Sequence, residues 1–451
     1  MTCFFGNMHI KNFDELVSNG ATEVFRKKRR DALEILTAAV EAVDPYRVVA
    51  QVFQKKRLVL GSETRDLSHY DHVYVVGFGK ASVPMAHAIC DIVPITQGVV
   101  ITNDPSAALP CRSIEVVIGG HPLPDEGSIR GTEKILALLE RCGEHDCVIM
   151  VISGGGSSLL CKPLISLDDL RATTRLLQGS GADINELNVV RKHLSQVKGG
   201  KLVSHTKASV VSLVLSDVVS DHLSSIASGP TSPDPSTFSD AKTILLRHEL
   251  WERVPRSVRT TIEDGIAGLI PETPKEGDPL FDDVRTMVVA NNQLACDHAM
   301  KKARGLGYEA VLVSDTITGE ARHIGRDLVS KAKQHLPNEN IVFISGGETT
   351  VTIRGGGIGG RNQELVLGCV KELAGTQHVV ASLGTDGIDG NSTAAGAVAD
   401  GMTLSRAQDH RLDPSIFLKN NDSNSFFIAL SDAIVTGPTG TNVMDIQVIL
   451  L

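Results

Sequence analysis

Three glycine-rich segments of this 451-residue chain follow short β-branched runs and carry the residues best suited to binding and transferring an anion. The first, Gly77-Phe78-Gly79-Lys80-Ala81-Ser82, follows Val73 to Val76 and precedes a helical pattern through Val83, Met85, Ala86 and Ile89. Glycine lets the backbone approach a ligand, a helix start offers free N–H groups, and Lys80 adds a point charge. The second, Ser153-Gly154-Gly155-Gly156-Ser157-Ser158, follows Val148 to Ile152 and could wrap an oxyanion with N–H groups and hydroxyls. The third, Ser345-Gly346-Gly347-Glu348, repeats the strand-Ser-Gly-Gly arrangement after Ile341 to Ile344. Beyond it, Gly355 to Gly360 reads as a flexible loop delivering Arg361 to a helix start, where a guanidinium suits a phosphate clamp. A tight turn explains an isolated glycine cluster equally well, but recurrence after successive strands favours binding.

Phosphoryl transfer is mostly positioning plus neutralisation of charge by cations and a metal ion. Asp217 follows the run ending at Leu215, and Asp386 and Asp389 follow the run ending at Ser382, so these acids are candidates to hold Mg²⁺. Each could equally cap a helix or close a turn. Arg191 and Lys198 lie in a basic stretch, Asn188 to Lys201, which reads either as a solvated helix face or as ligands for a carboxylate or phosphate. Neither the Walker-type Gly-Lys-Ser/Thr sequence nor a protein-kinase catalytic loop occurs. A dinucleotide-binding turn is weakened by Ser82 in place of its third glycine, although Asp104 after the next strand partly restores that reading.

The elements that must position these residues read as an α/β arrangement. Val73–Val76, Gly98–Ile101, Val148–Ile152 and Ser209–Leu215 are buried strands separated by helical patterns. Pro255 to Asp283, broken by Pro271, Pro274, Gly277 and Pro279, reads as a connector. A second series of strands then starts at Met287–Val289 and continues through Val311–Val313, Ile341–Ile344 and Val379–Ser382, with a helix over 292–304 between the first two.

Composition excludes several function classes. The net charge of −9 argues against a nucleic-acid surface, and the one basic run, Arg26 to Arg30, reads as the solvated start of a helix patterned on Ala32, Leu33, Leu36, Val40 and Val43. No apolar run reaches the roughly 18 to 20 residues that span a bilayer, and nothing at the N-terminus resembles a leader, so a cytoplasmic protein without membrane partners is expected. The eight cysteines contain no CxxC pair, which leaves no dithiol or zinc motif.

Taken in order, Gly77 to Ser82, Gly120-His121-Pro122-Leu123-Pro124-Asp125, Ile152 to Ser157, Asn188 to Lys201, Ser216-Asp217-Val218-Val219, Ser228-Gly229-Pro230-Thr231, Ser345 to Thr349, Gly359-Gly360-Arg361-Asn362-Gln363-Glu364, Gly384 to Gly390 and Thr436 to Asn442 resemble the glycerate 2-kinase family with a MOFRL-type C-terminal domain. The resemblance implies two α/β domains, the first with a Rossmann-like, mostly parallel sheet, and an active-site cleft between them. It implies an extension over 1–29, a kinase domain over 30–280 and the MOFRL-type domain over 281–451. It also implies transfer of the ATP γ-phosphoryl group to the 2-hydroxyl of D-glycerate with a divalent metal, and puts the family's functional lysine and arginine on Lys80 and Arg361. The choice of the 2-hydroxyl rests on the resemblance alone. Departures from the family pattern are Ser220 for glycine, Asn391 for proline and Asn424 for tyrosine. Two rivals stand beside the kinase: a nicotinamide-dependent hydroxypyruvate or 2-hydroxy-acid reductase, and a non-catalytic phosphometabolite-binding protein.

Overall fold

After a short helix, Phe13–Ser18, helix α1 (Glu23–Ala42) starts at a cap made by the Thr22 hydroxyl, which accepts the Phe25 N–H. Its inner face buries Ala32, Leu33, Leu36 and Val40, as the apolar spacing predicts. The computed structural model describes residues 10–334 and 340–451, so the first nine residues of the expected extension lie outside it. The basic run is only partly solvated. Arg29 falls on the inner face and is fully buried, its Nε 2.6 Å from Asp400 and its Nη1 2.7 Å from Asp432. Helical periodicity turned one of five cations inward, where two carboxylates compensate it.

The chain forms two compact units, residues 45–289 and residues 1–44 with 290–451. In the first, β1 (Val73–Phe78), α2 (Ser82–Ile92), β2 (Gln97–Thr102), β3 (Ile114–Ile118), α3 (Glu126–Leu139), β4 (Cys147–Ile152), the single turn α4 (Gly156–Leu159), α5 (Ile184–His193), β5 (Ser209–Leu215) and β6 (Val284–Ala290) follow in order. The sheet order is β3-β2-β1-β4-β5-β6, and the first five strands are parallel. All six residues of β4 and all seven of β5 are buried, the signature of a parallel sheet covered on both faces. The chain reverses its direction of winding between β1 and β4, and loops leaving the carboxyl ends of strands at such a switch point part to leave a ligand crevice.

The second unit contains α6 (Asn292–Gly305), β7 (Glu309–Ile317), α7 (Ala321–Ala332), β8 (Ile341–Gly347), α8 (Arg361–Leu373), β9 (Val379–Gly384), β10 (Gly396–Asp400), β11 (Ala433–Ile434) and β12 (Asp445–Leu450). Its mixed sheet runs β7-β8-β12-β9-β10-β11, parallel only between β7 and β8. α1 packs on α6, β9 and β12.

Several boundaries differ from the sequence reading. α1 belongs to the second unit because its apolar face covers that unit's sheet, so residues 30–44 do not join the first unit. Met287–Val289 is part of β6 and extends the first sheet rather than opening the second. Within the expected connector, Arg256–Ile266 is a helix that buries Val258 and Ile262, four residues apart on one face.

Candidate active site

The turns after β1 and β4 meet at the switch point. The Lys80 N–H donates to the Gly154 carbonyl at 2.8 Å and the Ala81 N–H to the Ser153 hydroxyl at 3.0 Å, so each turn fixes the other. Gly79 has φ +133°, and a Cβ there would lie 2.2 Å from the Ser153 Oγ; glycine is required on both counts. Gly77 is not in the turn. It pairs with Val100 and Val151 inside the sheet, and a Cβ would strike both valines, so its role is strand packing.

Around this junction three things favour an anion. The Lys80 side chain is exposed and has no hydrogen-bond or ion-pair partner among the described residues. α2 starts without a side-chain cap. The N–H groups of Gly154, Gly155 and Ser157 meet no acceptor among the described residues, while Gly155, at φ +82°, turns the chain into α4. Gly156 is small because Ala227 and Phe78 lie against it. Beside Gly155 lies His121, which packing against the protein, and secondarily the Lys80 charge, push down to about 4; it is a neutral imidazole at pH 7 even with part of the ring exposed.

Behind the β4 turn, the Ser157 hydroxyl lies 2.8 Å from that of Ser228, which donates to Asn188 at 3.0 Å. Lys198 is 4 % exposed and donates to the carbonyls of Ser157 and Leu160 at 2.7 Å each, and burial pushes it down to about 8. Lys192 forms a buried pair with Asp234 at 3.1 Å. The basic stretch is therefore interior rather than a solvated face. Asp217 is half-buried just past β5, and three and four residues on, Ser220 and Asp221 take φ of +66° and +50°. The backbone at Ser220 thus has the conformation that favours the family's usual glycine.

The second unit uses its glycines differently. Gly346 and Gly347 are strand residues paired with Ile446 and Asp445, and Cβ atoms there would collide with Asn292 and Ile317. They do not form an open anion-binding turn. The Gly355 to Gly360 segment is not flexible either. The Arg354 and Gly355 N–H groups donate to the Asn421 side chain, Gly356 to Asn420, Ile358 to Asp422 and Gly359 to Asn391. Asn391 also donates its own N–H to the Gly359 carbonyl, a bond the family's proline could not make.

This tethered loop delivers Arg361 to the start of α8, where it is already paired. Its Nε and Nη2 contact the two oxygens of Asp445 at 2.6 and 2.9 Å, and Nη1 reaches Glu348 at 2.9 Å. Burial works against its charge, but Asp445 and then Glu348 override it and hold the guanidinium above its usual range. Asn362 donates to Asp445 as well, at 2.9 Å. Asp389 caps α8, accepting the N–H groups of Asn362 and Gln363 at 3.0 and 2.9 Å, and burial pushes it up to about 6. Asp386 is half-buried and accepts the Ile388 N–H at 3.1 Å.

Among the described residues no three His, Cys, Asp or Glu side chains converge to hold a metal ion. Asp389 does not fit that role, since both its oxygens serve the helix start. Asp217 and Asp386 each offer a half-buried carboxylate, which fits an ion held chiefly by substrate phosphates. The sequence reading missed Asp445, whose only signal is one acid heading a strand-like run, Ile446 to Leu450, that is apolar except at Gln447, and gave His121 no role.

Residues 31–263 match a domain of unknown function, DUF4147, and residues 341–445 match the MOFRL family. The glycerate 2-kinase of Pyrococcus horikoshii is 41% identical over 94% of this chain and 97% of its own length. The chain belongs to the glycerate 2-kinase family. The crystal structure of the Thermotoga maritima glycerate kinase superposes on it with a TM-score of 0.82 at 38% identity, covering 94% of this chain and 99% of that one. An Agrobacterium vitis relative, 41% identical over 84% of this chain and 86% of its own, carries a provisional hydroxypyruvate reductase name. In this member of the glycerate 2-kinase family, Lys80 stands at the open junction of two turns, whereas Arg361 is held by two carboxylates.

Proposed function

We propose that this chain transfers the γ-phosphoryl group of ATP to the 2-hydroxyl of D-glycerate, giving 2-phosphoglycerate and ADP. The observation that carries the reading is the Lys80 ammonium at the switch point, without a partner among the described residues, beside an uncapped helix start and three N–H groups that meet no acceptor among those residues. That arrangement fits a polyphosphate, and a cation with no internal partner is available to the equatorial oxygens of a phosphoryl group in transit. A Mg²⁺ ion bound with the nucleotide would neutralise further charge, with Asp217 or Asp386 as its protein ligand. Arg361, fixed by Asp445 and Glu348, keeps a rigid orientation from which its remaining N–H donors serve an oxyanion.

A reductase has weaker support. The Ser82 hydroxyl donates to the Gly79 carbonyl at 2.7 Å, filling the place of the third glycine, and the Asp104 carboxylate accepts from the Ser106 N–H and hydroxyl rather than facing a ribose. The test is ADP release by the purified protein with D-glycerate, ATP and Mg²⁺, run against hydroxypyruvate with NADH and against a chelator control. The phosphorus spectrum of the product assigns the hydroxyl: a phosphate on the CH carbon couples to one proton, on the CH₂ carbon to two. Oxidation of NADH with no ADP would overturn the proposal, and so would phosphate on the CH₂ carbon.

A further inference from the structure

Arg191 and His121 both lack a partner among the described residues and have no part yet in the kinase reading. The space beside half-buried Arg191 is about 10 Å³, room for one water and no ligand. His121 is exposed and stands at the Lys80 junction.

A loop built for the purpose brings it there. The sheet order β3-β2-β1-β4 puts the end of β3 three strands away from the β4 turn, and residues 119–125 run along that edge before α3 begins. The run is pinned on both sides of the histidine. Before it, the Gly119 N–H donates to the Thr102 carbonyl at 2.9 Å, and the Gly120 N–H to Asp125 Oδ1 at 2.8 Å and the Ser128 hydroxyl at 3.0 Å. After it, the Pro122 carbonyl accepts the Ser158 hydroxyl at 2.5 Å.

The ring edge carrying Cδ2 and Nε2 lies over Gly155. A Cβ on that glycine would stand 3.1 and 3.4 Å from these two atoms and 3.3 Å from Lys80 Cγ. Imidazole and lysine therefore meet at one glycine, whose N–H has no acceptor among the described residues. Lys80 opposes a positive charge on the ring, and the nearby Asp125 carboxylate is already taken up by Gly120 and Ser128. The ring is thus neutral at pH 7 and open to a proton, while a phosphate held by Lys80 offsets the effect of the lysine.

We infer that His121 is the catalytic base of the phosphoryl transfer, taking the proton of the acceptor hydroxyl at Nε2. This rests on the kinase reading. The hydroxyl oxygen bonds to the γ-phosphorus as the bond from that phosphorus to the β–γ bridging oxygen breaks, and ADP leaves with that electron pair. The hydroxyl proton passes to Nε2, and the exposed ring returns it to solvent.

The test compares native protein with His121→Ala and His121→Gln, by ADP release with D-glycerate, ATP and Mg²⁺ from about pH 4 to pH 8 and by thermal midpoint. A positioned base is worth about 10²-fold or more, so kcat should fall by about that factor in both variants, with the KM for ATP within about threefold. The midpoints should stay at the native value, since the ring has no partner to lose. Added imidazole should restore part of the turnover of His121→Ala, and the part of the acid limb of kcat that belongs to the ring should vanish from both variants. A His121→Gln variant with near-native turnover would make the ring a positioning group and overturn the assignment. Phosphate trapped on His121 from γ-labelled ATP would make it a nucleophile and overturn it equally. Turnover by native protein that both variants retain overturns this inference alone, whereas native protein that forms no ADP overturns the kinase reading and this inference with it.

Discussion

Lys80→Met removes one charge while keeping the length of the side chain, and the structure fixes what that should do. The ammonium has no partner among the described residues and is exposed, so its loss costs the fold no more than about 0.5 kcal/mol. Its interaction with a phosphoryl oxygen is another matter. Unit charges about 4 Å apart are worth ~1 kcal/mol in water and ~4 kcal/mol at the effective dielectric of a protein surface. A lysine at the rim, covered when substrate binds, lies between these limits at ~3 kcal/mol, and each 1.4 kcal/mol is about a factor of ten in rate. Turnover should therefore fall about 10²-fold. Lys80→Arg restores the charge in a planar fork of different reach and should recover only part of the rate. The assay is initial-rate ADP release, with thermal unfolding followed on the same samples. Turnover of Lys80→Met within threefold of native would refute the reasoning, and so would a large drop in its midpoint, since the lysine would then have a structural partner.

Other perturbations have equally definite outcomes. Asp445→Ala leaves Arg361 with Glu348 alone, and because the guanidinium is 32% exposed the loss should lie at the low end for a broken buried pair, about 3 kcal/mol, seen as a lower denaturant midpoint. Asp445→Asn keeps an acceptor and should lose less. Ser220→Gly relieves a left-handed serine costing ~1–2 kcal/mol against ~0.4–1 kcal/mol of added chain entropy, so a net gain of about 0.5–1 kcal/mol should appear in thermal unfolding. Alkaline pH should destabilise the protein. Burial pushes Cys142, Cys147, Cys296 and Cys369 up to about 12, so above pH ~9 the unfolded thiols release protons that the folded ones keep, at about 1.4 kcal/mol per pH unit each. Lys198 and Lys201, pushed down to about 8, contribute with the opposite sign, and the four thiols outweigh the two lysines. Urea midpoints measured from pH 9 to pH 10, above the ordinary thiol range, check the sign, which a rising midpoint would contradict.

Much of this protein was legible in its sequence because the signals are local. β-branched runs become buried strands whichever neighbour they find, so Val73–Val76, Val148–Ile152 and Ser209–Leu215 all fall within strands. A glycine turn after a strand followed by a helical pattern also has only a few backbone solutions, and Lys80 stands where that logic puts it. The tertiary structure decided which glycines remain open to a ligand. Ser153-Gly154-Gly155 and Ser345-Gly346-Gly347 read alike, yet the N–H groups of Gly154 and Gly155 meet no acceptor among the described residues, while the second segment lies within a strand paired on both sides by β7 and β12. Local sequence cannot encode which strand will arrive alongside. The same holds for charges: Arg29, Arg191 and Arg361 are each a cation near a helix end in sequence, but one meets two buried carboxylates, one meets none, and one meets Asp445, 84 residues away. The spacing of apolar residues determined the elements; the partners brought together by packing decided which cations stayed available for chemistry.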